Sequence, residues 1–527
     1  MKNLLLLFIL SVLFINNIFS QKIPILWYLD LNSVSFGDAV IGDIDDDGKL
    51  EIVFSTYFND ESIYALNSED GTILWSFKTN GCNDAAPLIL DTDNDGLLEV
   101  LLQPSSVNKL YCFNGKDGSM KWQTFAYGSD SPLSAIKQTN GKYYNLYSGD
   151  LFGYLSSYNS LDGSLNWRIQ ADTSISIQTS PVIEDVNNDG KQDCVIASWT
   201  YNKNQQNFIR AYSLDNHQEI WTCYVPKDKI YHGATILDLD NDSFKEVVIG
   251  SYDGVLYCLN GLDGTIKWTF NFPDYGYIAA PTTVGDLNGD GLYEIVFVSG
   301  SKVAVLDNFG KLIWYDDNKN WITAFRGVVL SDMDNDNLLD VIFGTTSGKL
   351  ICLKGIDGSE IFNYNLADDY GKKFEISFAP VIADFNNDGF LDVFVVGGYT
   401  EYPAVEKSYG RAYLLTTEIR SKNIWPMFRL NERRNPFIPI NTTDICDYDN
   451  NLFDNIKLFF DKDYLTLNTK YNVECLEIYN LIGNLLLKKS NLNSNNISLE
   501  LSNLNSSIYF LKIFFEGKTV IKKFIRL

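Results

Sequence analysis

A chain of 527 residues can bury a large core and exceeds the size of one ordinary domain. Its 45% hydrophobic and 14% aromatic content excludes a mainly disordered state. A formal charge of −25 excludes nucleic acid as a natural partner.

Residues 1–20 read as a signal peptide, with Lys2 ahead of the apolar run Leu4 to Ile15 and Ser20 before the expected cut. That run is well short of the roughly 20 residues that span a bilayer, and no other stretch is long enough. No transmembrane segment is expected, and no cysteine follows the cut to take a lipid anchor.

The first repeating element is Asp43 to Glu51, DIDDDGKLE, which runs straight into Ile52-Val53-Phe54. Asp43, Asp45, Asp47 and Glu51 stand at positions 1, 3, 5 and 9, where oxygen ligands can converge on one hard cation. Oxygen donors without His or Cys select Ca2+ over zinc or copper. Six further copies follow. Their positions 1, 3, 5 and 9 hold Asp91, Asp93, Asp95 and Glu99; Asp185, Asn187, Asp189 and Asp193; Asp238, Asp240, Asp242 and Glu246. The last three hold Asp286, Asn288, Asp290 and Glu294; Asp332, Asp334, Asp336 and Asp340; Asp384, Asn386, Asp388 and Asp392. Up to seven Ca2+ ions are therefore expected. Solvated acidic turns do not account for an acid at every position 9. An EF-hand needs Glu at position 12 and flanking helices, whereas here position 12 is apolar and the flanks have strand composition.

Each unit has four short apolar runs separated by Asn, Asp and Gly turns, the signature of an antiparallel four-stranded meander. Its second half is a D-G turn followed by a tryptophan, at Trp75, Trp122, Trp167, Trp221, Trp268 and Trp314. Phe362 replaces it in the seventh unit and Trp425 is read as ending the eighth. Residues 132–160 form a unit without the acidic loop. One tryptophan per repeat at a fixed place is packing between units. Eight units of this kind make a β-propeller. Trp27 precedes the first loop as Trp75 precedes the second, so the first strand is suited to close the ring on the eighth blade. Cys112, Cys258 and Cys352 fall at or next to the place of Ala65 and are expected as small buried hydrophobes; spacing alone does not decide whether Cys446 and Cys475 pair.

The acidic loops resemble the FG-GAP/VCBS repeats of integrin-type propellers, and the DG-x-x-x-W halves resemble the PQQ-like repeat of quinoproteins. The resemblance implies calcium on the loop residues named above. Ser243 and Asn337, in place of the loop glycine, need a left-handed turn. Residues 456–527 resemble the type IX secretion sorting domain through Tyr479-Asn-Leu-Ile-Gly483 and the basic–apolar tail Lys522 to Leu527. Ser507 departs from that pattern, and so does the lack of a Pro-Asn-Pro. The expected organisation is an all-β eight-bladed propeller over 21–432, a linker at 433–455 and a small C-terminal β-sandwich domain. The sorting tail implies the type IX machinery as a partner and an extracellular or cell-surface location.

The leading function is a binding or adhesion module for an extracellular glycan or protein, expected as a monomer. Its rivals are a quinoprotein dehydrogenase and a polysaccharide lyase. His217, in a turn, is expected at a solvated surface, and His232 is a candidate base. Connection lengths are fixed at the metal-loop end and vary at the other, where Trp199, Tyr201, Tyr275, Tyr277, Trp321, Tyr399, Tyr402 and Tyr409 lie. That end is the expected ligand face.

Overall fold

The computed structural model describes residues 23–420 and 456–526, apart from 139–141, 173–174, 201, 203–204, 225, 274–275, 318–325, 378, 462–463, 480–484, 502–506 and 516–517. The expected signal peptide, the linker, Cys446, Trp425, Tyr201, Tyr275 and Trp321 lie outside the described residues. The chain divides into two compact units, 1–441 and 442–527.

The first unit holds eight four-stranded antiparallel sheets. The first blade runs from its inner strand a to its outer strand d as Val40–Gly42, Glu51–Ser55, Ser62–Asn67 and Ile73–Lys78. Blades two to seven repeat this order over 88–124, 134–170, 182–223, 235–271, 283–317 and 329–365. Alternation explains the layering: strand b is buried throughout, as in Glu51–Ser55, while strand d shows every second residue to solvent. Strands a of successive blades are neighbours, so they surround the axis of the ring.

The eighth sheet is assembled from both ends of the chain. Val381–Ala383, Leu391–Tyr399 and Tyr409–Ile419 supply strands a to c, and Ile25–Leu31 is strand d. Trp27, paired with Leu414, therefore takes the place that the sequence reading gave to Trp425. At the axis the Asp38 carboxylate accepts the Ala379 N–H at 2.7 Å, joining first and eighth blades from the inside as well.

Each tryptophan clasps the next blade. The indole N–H of Trp27, Trp75, Trp221 and Trp314 donates to Ser68, Gly115, Gly261 and Gly355 carbonyls at 2.5–2.7 Å. The ring lies flat on the turn glycine, with Trp27 on Gly71, Trp75 on Gly118 and Trp221 on Gly264. Within its own blade the indole of Trp75, Trp122, Trp221 or Trp268 pairs with a small residue of strand c, Ala65, Cys112, Ala211 or Cys258, beside a regular bulge. The cysteines are thus unpaired and buried where bulk would displace an indole. His217 corrects the expectation of a solvated histidine. It occupies the turn-glycine place at φ 61° and packs, half-buried and tilted, against Trp167 at 4.4 Å. Phe362 also has a reason: strands c and d of the eighth blade come from opposite chain ends, so no tight turn awaits an indole there.

The second unit is one connected set of five antiparallel strands, including the long Tyr464–Tyr479 and Leu485–Glu500. Their register breaks between Asn468 and Cys475, and Leu465 and Leu467 from one half share a core with Leu476 and Ile478 from the other.

The clasp yields a paired test. Gly264 and Gly190 both have φ near 80° or below, 70° and 81°, but a Cβ on Gly264 would meet Trp221 at 2.5 Å and one on Gly190 meets nothing within 4 Å. Gly190→Ala should cost about 1–2 kcal/mol for the left-handed backbone alone. Gly264→Ala should cost about 3 kcal/mol or more, because the indole must also move. Urea unfolding of both variants checks this, and equal losses would count against the clasp.

Candidate functional site

Two features stand at opposite ends of the ring: the acidic loops, which are the a–b connections, and a cluster built from the d–a and b–c connections.

Each acidic loop is wound around its own carboxylates. In the first, Asp43 accepts the Asp47 and Gly48 N–H groups at 3.1 and 3.0 Å, and Asp47 accepts that of Lys49 at 2.9 Å. Position 9 reaches back to position 2 in all seven copies, as in Ile44 N–H to Glu51 at 2.8 Å and Phe385 N–H to Asp392 at 3.2 Å. The acid at position 9 thus has a hydrogen-bonding role within the loop, which the sequence argument overlooked. Positions 4 and 6 are left-handed throughout, and Ser243 and Asn337 adopt φ 72° and 67°. Position 4 carries Asp, Asn or Gly in every copy, a signal for this turn that was present in the sequence and went unread.

The remaining carboxylate oxygens converge. Asp43, Asp45 and Glu51; Asp91, Asp93 and Glu99; Asp238, Asp240 and Glu246; and Asp332, Asp334 and Asp336 each place ligand atoms within 4.8 Å of one another. These clusters could hold metal ions. Asn187, Asn288 and Asn386 instead direct their amide groups to the position-5 carboxylate at 3.4, 3.1 and 3.0 Å. Asp93, Asp193, Asp240 and Asp392 each keep a buried Oδ1 without a hydrogen-bond donor. An unmet carboxylate oxygen facing other carboxylates fits a cation. In three loops a lysine already supplies one. Lys121 reaches Asp93 and Glu99 at 2.9 and 2.8 Å, Lys267 reaches Asp240 and Glu246 at 2.6 and 2.9 Å, and Lys354 reaches Asp334 at 2.5 Å.

Where no lysine reaches position 9, burial and the neighbouring carboxylates push its acid up, to about 7 for Glu51, Glu294 and Asp340 and to about 6 for Asp193 and Asp392. The folded value exceeds the unfolded one, so the fold binds more protons. The stability these groups contribute is complete in acid and is lost as pH rises through about 6 to 7. In EDTA the melting temperature should therefore fall between about pH 5 and pH 8. A rise over that interval would contradict this account of the loops.

At the other end, Arg326 is 1% exposed at the start of strand a of the seventh blade. Its Nη2 donates to the Asp84 carbonyl at 2.7 Å, and its guanidinium lies 5.5 Å from the Tyr231 ring centre. Asp84 accepts Ser105 at 2.5 Å and Asp130 accepts Gln178 at 2.7 Å. Burial raises the Asp84 carboxyl and pushes Asp130 up to about 7, where the Asp84 charge adds to burial and Arg326 opposes both. An aromatic group adjoins this centre. Trp199 lies 5.0 Å from Tyr231 and 5.1 Å from Tyr252, and Tyr252 stacks on Tyr277 at 5.2 Å. Of the expected ligand-face residues, Trp199 and Tyr277 thus meet. Tyr399 and Tyr409 pair at the end of another blade's b–c hairpin, 6.3 Å apart, and Tyr402, at 62% exposure, packs edge-on to Phe58. His232 is buried beside Tyr231. Arg326, Asp84, Asp130 and Tyr231 were missed because each is a single residue in a different blade.

Against known families, residues 33–143, 59–197 and 205–428 match the model described as outer membrane protein assembly factor BamB, a PQQ-like repeat. The chain belongs to this family. Residues 461–526 match the secretion system C-terminal sorting domain. The tail marks secretion across the outer membrane, to the cell surface or the extracellular space. No helix among the described residues is long and apolar enough to cross a membrane. No curated protein matches the chain.

Among solved structures, the quinohemoprotein alcohol dehydrogenase ADHIIG of Pseudomonas putida HK5 is similar, with TM-score 0.55 and 12% identity over 77% of this chain and 78% of that one. The V. cholerae biofilm matrix protein Bap1 gives 0.55 and 16% over 78% and 93%. A europium-containing methanol dehydrogenase gives 0.55 and 10% over 74% and 93%. At these identities the likeness is one of fold, the β-propeller.

Proposed function

We propose that this is a calcium-stabilised propeller that binds an extracellular glycan or protein through the face opposite its acidic loops. On this reading the propeller spans 21–432, a linker 433–455 and the sorting domain 456–527. The observation that carries the reading is the Trp199–Tyr231–Tyr252–Tyr277 group, which combines aromatic faces with partial exposure on a rigid scaffold. The likeness to a biofilm matrix protein supports a role at the surface, and the sorting domain would bring the chain there through the type IX machinery.

Calcium is the ion that the donor set favours, as in the integrin-type loops these segments resemble. Oxygen ligands in a nine-residue loop suit its larger, flexible shell better than the strict octahedron of Mg2+. The loops fall into classes. Asp43, Asp45 and Glu51 stand open, whereas Ca2+ must displace Lys121, Lys267 or Lys354 from the loops those lysines enter. EDTA should lower the melting temperature, with Ca2+ in the range of about 10⁻⁴ to 10⁻³ M restoring it and Mg2+ restoring it poorly. Equilibrium dialysis should find more Ca2+ per chain after Lys121→Ala and Lys267→Ala. An unchanged melting curve in verified metal-free protein would refute the calcium reading.

For the face itself, Trp199→Ala should weaken binding to the native partner surface by roughly tenfold or more, the range of an interface anchor. The melting temperature should stay close to that of the parent. Binding to extracellular matrix from the native host, measured on the full chain, checks this. Parent-like binding by the variant would reject the face.

A further inference from the structure

The axial end of the ring gathers polar groups from five blades. Asp38, Asp84, Asp130, Gln178 and Arg326 all stand at or just before the start of a strand a, where the blades converge. Structural needs there are met by backbone and hydroxyl links between neighbouring strands, such as Thr235 to the Thr282 carbonyl at 2.9 Å and Thr283 to the Val328 carbonyl at 3.1 Å. Asp38 joins the first and eighth blades, but burying Asp84, Asp130 and Arg326 as well adds a desolvation cost that such links do not carry.

The cluster is also incompletely satisfied. Nε and Nη1 of Arg326 are buried and meet no hydrogen-bond acceptor among the described residues. The Oε1 of Gln178, a residue 9% exposed, meets no donor. A buried polar group left unmet is costly, more so where it is charged. Unmet donors and an unmet acceptor therefore lie in one place. Asp84, Asp130 and Tyr231 are half-buried, so the cluster borders the surface on this side. Beside it the aromatic group runs outward from Tyr231 through Trp199 to Tyr252 and Tyr277.

We infer that the axial centre is a subsite for one residue of a neutral sugar chain, with Arg326, Gln178, Asp84 and Asp130 on its hydroxyls and Trp199 carrying the next residue. This rests on the reading that the face binds a glycan. A sugar hydroxyl both donates and accepts, and so meets a guanidinium, an amide oxygen and a carboxylate at once. A ring C–H face stacks on an aromatic plane. Charge decides between sugar classes. Asp38, Asp84 and Asp130 all act on the single Arg326 cation, so the carboxyl groups of the centre outnumber its cation. The chain as a whole carries −25. A uronate would bring a further carboxylate to a centre with no spare cation, on a negative protein, which opposes both its approach and its docking.

The test titrates the full chain, in Ca2+, with laminarihexaose, maltohexaose and cellohexaose, and with hexagalacturonate as the acidic counterpart. At least one neutral hexamer should bind, and hexagalacturonate should bind roughly tenfold more weakly or not at all. Arg326→Gln and Gln178→Ala should each weaken the neutral hexamer by about tenfold, the size of a hydrogen bond to a charged or buried group. Gln178→Ala serves if Arg326→Gln fails to fold, since it removes no charge. Parent affinity in a folded Arg326→Gln and in Gln178→Ala, with loss in Trp199→Ala, overturns the axial subsite and leaves the face intact. Hexagalacturonate binding as tightly as the neutral hexamers overturns the choice of sugar class. Binding by none of the neutral hexamers overturns the inference.

Discussion

The structure depends on the contact between a tryptophan of one blade and the turn of the next. A propeller has no single core. Each sheet has two faces, and each must be covered by a neighbour, so the ring holds only if every interface closes. The indole does this with a flat face on a turn glycine and an N–H on a carbonyl of the next blade, as in Trp221 with Gly264 and Gly261. The same contact explains the small residue opposite the indole, the bulge beside it and the left-handed turn that receives it. It also explains the pairing of the strand Ile25–Leu31 as strand d of the eighth blade. Trp27 reaches Gly71 and Ser68 of the first blade, so the seam between chain ends is made by the same contact as the other interfaces.

The acidic loops follow a different economy. Their hydrogen bonds are complete without a metal as far as the backbone is concerned, since positions 1, 5 and 9 accept the N–H groups that the turn would otherwise strand. What stays incomplete is the carboxylate oxygen on the inner side, and the protein answers that charge in more than one way. Lys121, Lys267 and Lys354 place an ammonium there; in loops such as 286–294 an asparagine amide approaches instead. A raised carboxyl pKa, as in Glu51, is a further response to the same unmet charge. Seven copies of one sequence pattern thus need not be seven equal metal sites.

Much of this was legible in the sequence. The period, the four apolar runs, the D-G turn and the repeated tryptophan place the strands, because strand order in a meander follows chain order. Closure by Trp27 was readable from its spacing to Asp43, but the competing choice of Trp425 was not excluded, since nothing local tells which end supplies the outer strand. His217 was misread for a related reason. Its neighbours look like a solvated turn, and only the next blade's register reveals that it takes a glycine's place on Trp167. The acid at position 9 was read as a pure ligand because a hydrogen bond to position 2 leaves no trace in the spacing.

The axial cluster is the part least visible to that kind of reading, and the reason is instructive for repeat proteins. A pattern search rewards positions that stay the same from blade to blade. The position seven residues before the first loop aspartate does the opposite: it is Asp84 in the second blade, Gln178 in the fourth, Tyr231 in the fifth and Ala279 in the sixth. Yet this is just before strands a begin, and the ring brings Asp84 and Tyr231 within reach of Arg326. Packing demands sameness at the tryptophan and the glycine, since every interface solves one problem. A single asymmetric ligand on the axis would demand difference, because each blade faces another part of it. In a ring of near-identical blades, the position where register holds and identity fails is therefore where a ligand can be recognised.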